Sequence, residues 1–308
     1  MTLRSALLFP GQGSQTPNFL HALPEHEAAS ATLHEAQEVL QLDLSELDSA
    51  AALNSTVSVQ LGVLIAGVAY ARVLAAEGAF PDAVAGLSVG AFTAAVASSA
   101  VDFGAALRLV RLRAETMELA YGQGGYGMLA ILGLREAAVR TLVAGIARPD
   151  TPLYLASVNA PAEIIVAGSD AALSAAGEAA SQLGARARRL CVSVPSHGPL
   201  LDEVSLCLRE AMREVRLEQS RVPYVSNVRA RALSRGADVA EDLILNVSRT
   251  VRWHESVTLL YELGVRLFIE APPGHTLSNL VKNEFPQARA VAAADAQLDS
   301  VLHLARQR

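Results

Sequence analysis

The sequence predicts an α/β protein: a parallel-sheet domain with a ferredoxin-like α+β subdomain inserted into it. Short apolar runs alternate with helical patterns through the first 120 residues, the order of a sheet covered by helices on both faces. Three glycines then lie between two tyrosines in YGQGGYG, residues 121–127, which reads as a hinge or linker. The segment that follows reads β-α-β-β-α-β, a ferredoxin-like unit. These observations divide the chain into a large domain, residues 1–124 and 193–308, and a subdomain, residues 125–192.

Each element has its own signal. SALLFPG is a buried strand leading into a Gly/Gln loop, and residues 56–77 form a long helix. DAVAGL is a second strand, VGAFTAAVASSAV an alanine-rich helix, and residues 103–120 another helix. In the insert, MLAILGL, LYLASVNAP, EIIVAGS and ARRLCVSV are strands, and REAAVRTLVAGIA and DAALSAAGEAASQLG are helices. The large domain resumes near Pro195 and is completed by strand LFIEA and helix HTLSNLVKNEF; the tail LARQR is expected to fray.

Composition narrows the classes. The chain has 308 residues, 51% of them hydrophobic, enough for a sizeable core. A net charge of -6 argues against nucleic acid as a partner. Cys191 and Cys207 lack metal-ligand spacing and are expected to be buried thiols of a cytoplasmic protein. MTLRSALLFPGQG does not read as a signal peptide, because Pro10 and Gly11 break its short apolar run. VQLGVLIAGVAYARVLAA is interrupted by Gln60, Gly62, Gly67 and Arg72 and reads as a buried helix, so no membrane is expected as a partner.

The chemistry centres on GLSVG, residues 86–90. Gly-x-Ser-x-Gly between a strand and a helix is the pattern of a nucleophile elbow, in which small flanking residues permit a strained turn that presents the serine hydroxyl. The plain alternative is a strand-to-helix connection that contains a serine. A nucleophilic Ser88 needs a base. His197 follows a strand in the loop PSHGP, just before a helix, and His275 in PPGHTL competes with it. On helix 103–120, Arg113 shares a stripe with Phe103, Ala106, Val110, Met117 and Ala120, while Arg108, Arg111, Glu115 and Glu118 form the expected solvent face. A guanidinium on an apolar face needs an anion, either a structural acid or a substrate carboxylate. The loop FPGQGSQ has Gly11 and Gly13 for close backbone approach and lacks the Lys-Ser/Thr of a phosphate-binding loop.

In order along the chain, LFPGQGSQ, GLSVGAF, RAETM, SVNAPAEIIVAG, VSVPSHGPLL, VRWHESV and IEAPPGHTLSNL resemble the malonyl-CoA:acyl-carrier-protein transacylase family. The resemblance implies a hydrolase-like α/β domain carrying a ferredoxin-like subdomain, with the acyl site between them. It implies Ser88 as acylated nucleophile, His197 as general base, and Arg113 as partner of the malonyl carboxylate. The main-chain N–H groups of Gln12 and Val89 would form the oxyanion hole, and Gln60 would line the pocket. The histidine would be oriented by a main-chain carbonyl of the EAPPG segment, with Asp202 as the fallback. Malonyl-CoA would be the donor substrate, an acyl carrier protein the partner, and no cofactor would be bound. Arg186, Arg188 and Arg189 would offer the carrier a basic surface, though a plain solvated face is the favoured reading of these three arginines.

Leu87 stands where most members have histidine, and Ser196 where malonyl-specific members often have phenylalanine. The variants GLSVGAF and VPSHG are most similar to the malonate decarboxylase epsilon subunit, whose carrier subunit bears a CoA-derived thiol; fatty-acid synthesis is the main alternative. A serine thioesterase or esterase would need an acidic triad member and no Arg113. A non-catalytic malonyl-CoA-binding scaffold would not need intact Ser88, His197 and Arg113.

Overall fold

The run SALLF is buried at every position, the signature of a strand covered on both faces. In the computed structural model, which describes residues 3–44 and 47–307, it forms β1 (Ser5–Phe9) at the heart of a six-stranded sheet. Met1 and Thr2, part of the N-terminal stretch read above, and Arg308 of the tail lie outside the described residues.

From β1 the chain passes through α1 (Glu27–Leu40) and the long helix α2 (Thr56–Ala76) to β2 (Ala83–Gly86), α3 (Gly90–Ala97) and α4 (Phe103–Tyr121). The insert comprises β3 (Tyr126–Leu132), α5 (Glu136–Ile146), β4 (Leu153–Ala160), β5 (Glu163–Ser169), α6 (Asp170–Gln182) and β6 (Arg186–Arg189). Then come α7 (Asp202–Met212), the two-residue strands β7 (Tyr224–Val225) and β8 (Ala232–Leu233), α8 (Gly236–Asn246) and α9 (Trp253–Glu262). The chain closes with β9 (Leu267–Glu270), α10 (Thr276–Glu284), β10 (Arg289–Ala292) and α11 (Leu298–Arg306).

The large sheet has the order β10-β9-β1-β2-β7-β8 and is parallel except for β8 at its edge. Alternate side chains of β1 and β2 serve opposite faces. Leu7, Phe9 and Val84 pack with α2 and α4, while Ala6, Leu8, Ala83 and Ala85 pack with Trp253 and Phe268. Strand order reverses at β1, and Phe9 lies in register with Gly86. The loops leaving β1 and β2 therefore emerge side by side, at the crevice where open α/β sheets bind ligands. By length and composition α2 could cross a membrane, but Val59 to Tyr70 are all buried in the fold, as a core helix requires.

The insert forms an antiparallel sheet of order β4-β5-β3-β6. One face holds a core with α5 and α6 (Ile131, Val139, Leu142, Leu173, Ala176). Backbone bonds from Val158 N–H to Val251 O and from Val251 N–H to Ala156 O, both 2.9 Å, join β4 to the segment between α8 and α9.

Several readings of the sequence are corrected. β6 ends at Arg189 instead of running through Val194. Cys191 and Cys207 are exposed, one in a bend after β6 and the other on the outer face of α7, because neither position faces a core. The tail does not fray through Arg306, whose guanidinium donates to Glu77 O at 2.6 Å and pairs with the Glu77 carboxylate at 3.0 Å.

Candidate active site

The elbow is built by close approach. A Cβ on Gly86 would stand 1.9 Å from Gly90 O, and one on Gly90 would stand 2.3 Å from Phe9 O, so neither position admits a side chain. Ser88 between them adopts φ 56°, in the left-handed region that non-glycine residues rarely occupy. Asn227 holds this turn: its Oδ1 accepts from Ser88 N–H at 2.9 Å and its Nδ2 donates to Gly86 O at 2.7 Å. Asn227 is fixed in turn by Asp242, a buried carboxylate that accepts from Asn227 N–H (2.9 Å), Val228 N–H (3.0 Å), Tyr224 OH (2.7 Å) and Ser226 OH. Burial pushes the Asp242 carboxyl up, while these donors pull it back down.

The first turn of α3 follows directly. Gly90 N–H is taken by Leu87 O and Ala91 N–H by Ser88 O, whereas Val89 N–H finds no acceptor among the described residues. The Gly11–Gly13 loop lies against the elbow. A Cβ on Gly11 would meet Leu87 O at 2.8 Å and Ser88 Cβ at 3.5 Å, so the start of this loop abuts the serine.

His197 is buried, with φ 67°. Its N–H donates to Val247 O at 2.8 Å, and its ring Nδ1 lies 2.6 Å from Asn246 O. The Asn246 side chain also donates from Nδ2 to Ser88 O at 2.9 Å. One residue at the end of α8 therefore ties the serine turn to the imidazole. With Nδ1–H donating to Asn246 O, Nε2 is left as the acceptor. Burial, and next the Arg113 charge, lower the His197 pKa to about 4, against a small upward pull from Asn246 O, so the ring is neutral at pH 7.

The carbonyl that meets this ring belongs to Asn246, which corrects the expectation that EAPPG supplies it. In that segment Glu270 instead accepts from Leu277 N–H (3.0 Å) and Ser278 N–H (2.7 Å) at the start of α10. Asp202 is no third triad member, because its side chain is half-exposed and pairs with Arg249 at 2.6 Å. His275 is exposed and faces Asp295 at 3.3 Å.

Arg113 is 1% exposed, and no carboxylate among the described residues pairs with it. Its Nη1 donates to Gln60 Oε1 at 2.5 Å and its Nη2 to Ser88 Oγ at 3.4 Å, while its Nε has no partner. Burial lowers its pKa to about 10, so it stays charged at neutral pH. Gln60 Nε2 contacts Met117 Sδ at 3.6 Å. A hydroxyl, a neutral imidazole and an uncompensated guanidinium thus meet in one place. Such a set can activate a hydroxyl for attack and seat an acyl group that carries an anion. Among the described residues no group of three or more His, Cys, Asp or Glu side chains is placed to hold a metal ion.

Leu87 is half-buried and packs against the core around Phe268, and Ser196 is buried beside His197. Asn227, Asn246 and Asp242 escape the sequence reading. Each is a polar residue without a motif, and its importance comes from partners brought together by folding.

Residues 6–301 match the model of the acyl transferase domain family, and the chain belongs to that family. It is 35% identical over 295 residues to the malonyl CoA-acyl carrier protein transacylase of Bacillus subtilis, covering 94% of this chain and 93% of that one. The acyl-carrier-protein S-malonyltransferase of Burkholderia pseudomallei superposes with a TM-score of 0.91 at 36% identity, covering 98% of this chain and 100% of that chain. A malonyl-transacylase solved in complex with a type II PKS acyl-carrier protein superposes with a TM-score of 0.91 at 31% identity, covering 98% of each chain.

Proposed function

We propose that this acyltransferase moves malonyl from malonyl-CoA to the thiol of an acyl carrier protein through a malonyl ester on Ser88. The observation that carries this is Arg113, a fully buried guanidinium beside the Ser88 hydroxyl with no carboxylate partner among the described residues. A dicarboxylic acyl group would supply the missing anion in two parallel hydrogen bonds.

The Ser88 hydroxyl attacks the thioester carbonyl while its proton passes to His197 Nε2. Negative charge on the tetrahedral oxygen is met by the N–H groups of Gln12 and Val89, each worth about 3 to 4 kcal/mol in such a role. The C–S bond breaks, the CoA sulfur takes the proton from His197, and malonyl-Ser88 remains. The carrier thiol then gives its proton to His197 and attacks the ester, and Ser88 recovers its proton as the C–O bond breaks. Asn246 O holds the ring with Nε2 free for these transfers. Gln60 braces Arg113. Arg186 and Arg188, exposed on β6, suit an acidic carrier, whereas Arg189 is engaged with Asp170 and Tyr126 O.

A carrier of the fatty-acid-synthesis type is the first reading of the partner. GLSVGAF and VPSHG, with Leu87 and Ser196, favour a second, the CoA-derived thiol of a malonate decarboxylase carrier. Intact-mass measurement after mixing with malonyl-CoA tests the chemistry. A malonyl adduct that is lost in the Ser88→Ala variant supports transfer, rapid release of free malonate without transfer supports a thioesterase, and no adduct with no turnover supports a scaffold. Offering the acylated enzyme each carrier in turn separates the two partners.

A further inference from the structure

We propose that Glu118 is a positioning residue for acyl-group selection: its carboxylate locks the first turn of α2 onto α4 and so sets the Gln60–Arg113 pair. The inference rests on the malonyl reading above. Helical spacing puts Glu118 with Arg108, Arg111 and Glu115 on the solvent face of α4, but the fold uses it differently. Its Oε1 accepts from Ser55 Oγ at 2.9 Å, from Thr56 N–H, and from Val57 N–H at 3.3 Å. These amides have no partner within their own helix, and the positive end of a helix favours a carboxylate.

α2 already carries a cap of its own, since Ser55 Oγ accepts from Val57 N–H and Ser58 N–H. What Glu118 adds is a bond between two helices. Thr56 and Gln60 are four residues apart on α2, and Arg113 and Met117 are four apart on α4, so each pair shares a helix face. The facing sides form a ladder. Glu118 holds Ser55 and Thr56, Met117 Sδ takes Gln60 Nε2 at 3.6 Å, and Arg113 Nη1 takes Gln60 Oε1 at 2.5 Å. Without the outer rung, the first turn of α2 can move from α4. The Gln60 amide then no longer fixes the guanidinium. An acyl group that carries a carboxylate would feel this change, whereas acetyl, which does not reach for Arg113, would not.

The test compares rates of Ser88 acylation from malonyl-CoA and from acetyl-CoA, read by intact mass, so that no carrier is needed. Glu118→Ala should slow malonylation about tenfold, the scale of one lost hydrogen bond to a charged group, and leave acetylation within about twofold. Glu118→Gln, which keeps an acceptor oxygen at Ser55 and Thr56, should recover most of the loss. An equal fall for both donors, or no fall for either, overturns the proposal. If Glu118→Ala does not fold, Glu118→Asp, which keeps the charge but shortens the reach, carries the same comparison. A wild-type enzyme with no preference for malonyl-CoA would refute the malonyl reading instead, an outcome separate from an unchanged ratio in the variants.

Discussion

Replacing Arg113 with methionine should stabilise the fold while damaging malonyl transfer. Arg113 is 1% exposed, and burial draws its pKa from 12.5 to about 10. At about 1.4 kcal/mol per pKa unit, keeping that charge inside costs the folded state about 3 kcal/mol. No carboxylate among the described residues offsets it. Methionine fills the volume of the stem without the charge, but leaves Gln60 Oε1 without its donor, a loss of about 1 to 2 kcal/mol. The net expectation is a gain of about 1 to 2 kcal/mol, rising towards 3 if Gln60 is also made methionine. Urea unfolding reads this directly, and the melting temperature should rise by about 1.5 °C per kcal/mol gained for a chain of 308 residues. Malonylation of Ser88 should fall about 10²- to 10³-fold, for two charge-assisted bonds lost, with acetylation little changed. A loss of stability of 1 kcal/mol or more would refute the reasoning, because it would make the guanidinium a structural cation and not a vacant anion seat.

Other expectations follow from the same geometry. The unfolded chain protonates its histidines near pH 6.5, whereas folded His197 waits until about pH 4. Between those values the unfolded state binds more protons, so stability is full above 6.5 and falls by about 3 kcal/mol as pH drops towards 4. In His197→Gln that portion of a pH series of unfolding curves should flatten, and in the wild type the acid limb of Ser88 acylation should lie near pH 4 instead of 6.5. Ser88→Gly and Ser88→Ala should both abolish the acyl adduct. The glycine variant should be the more stable by about 1 kcal/mol, since it relieves the left-handed φ of 56°; equal melting temperatures would show that the turn stores no strain.

The residues differ in how far they can be read from the chain. The elbow is legible because its pattern is short: Gly86 is forced by Gly90 and Ala91 of the same turn, and although Gly90 is forced by Phe9 and Pro10 at the end of β1, far upstream, the two glycines flank the serine within five residues. Arg113 is legible as a charge on an apolar stripe, since helical spacing alone puts it with Phe103, Val110 and Met117. Glu118 is misread by the same spacing, because its partners sit on another helix 61 to 63 positions away. β7 and β8 are two residues long, too short for any periodicity, and they exist only through their neighbours in the sheet.

The alternation of strands and helices, the serine turn and the arginine on an apolar stripe could all be read from the chain alone, because each leaves a pattern among near neighbours even where distant groups, such as Asn227 at the turn, hold it in place. That Asn246 joins Ser88 to His197, that Asn227 and Asp242 brace the turn, and that Arg113 has no carboxylate partner among the described residues emerge only on folding. Those facts depend on groups 15 to 158 residues apart. A hydrogen-bonding side chain can find its partner anywhere the fold delivers one, so its role is set by position in space and leaves no local pattern.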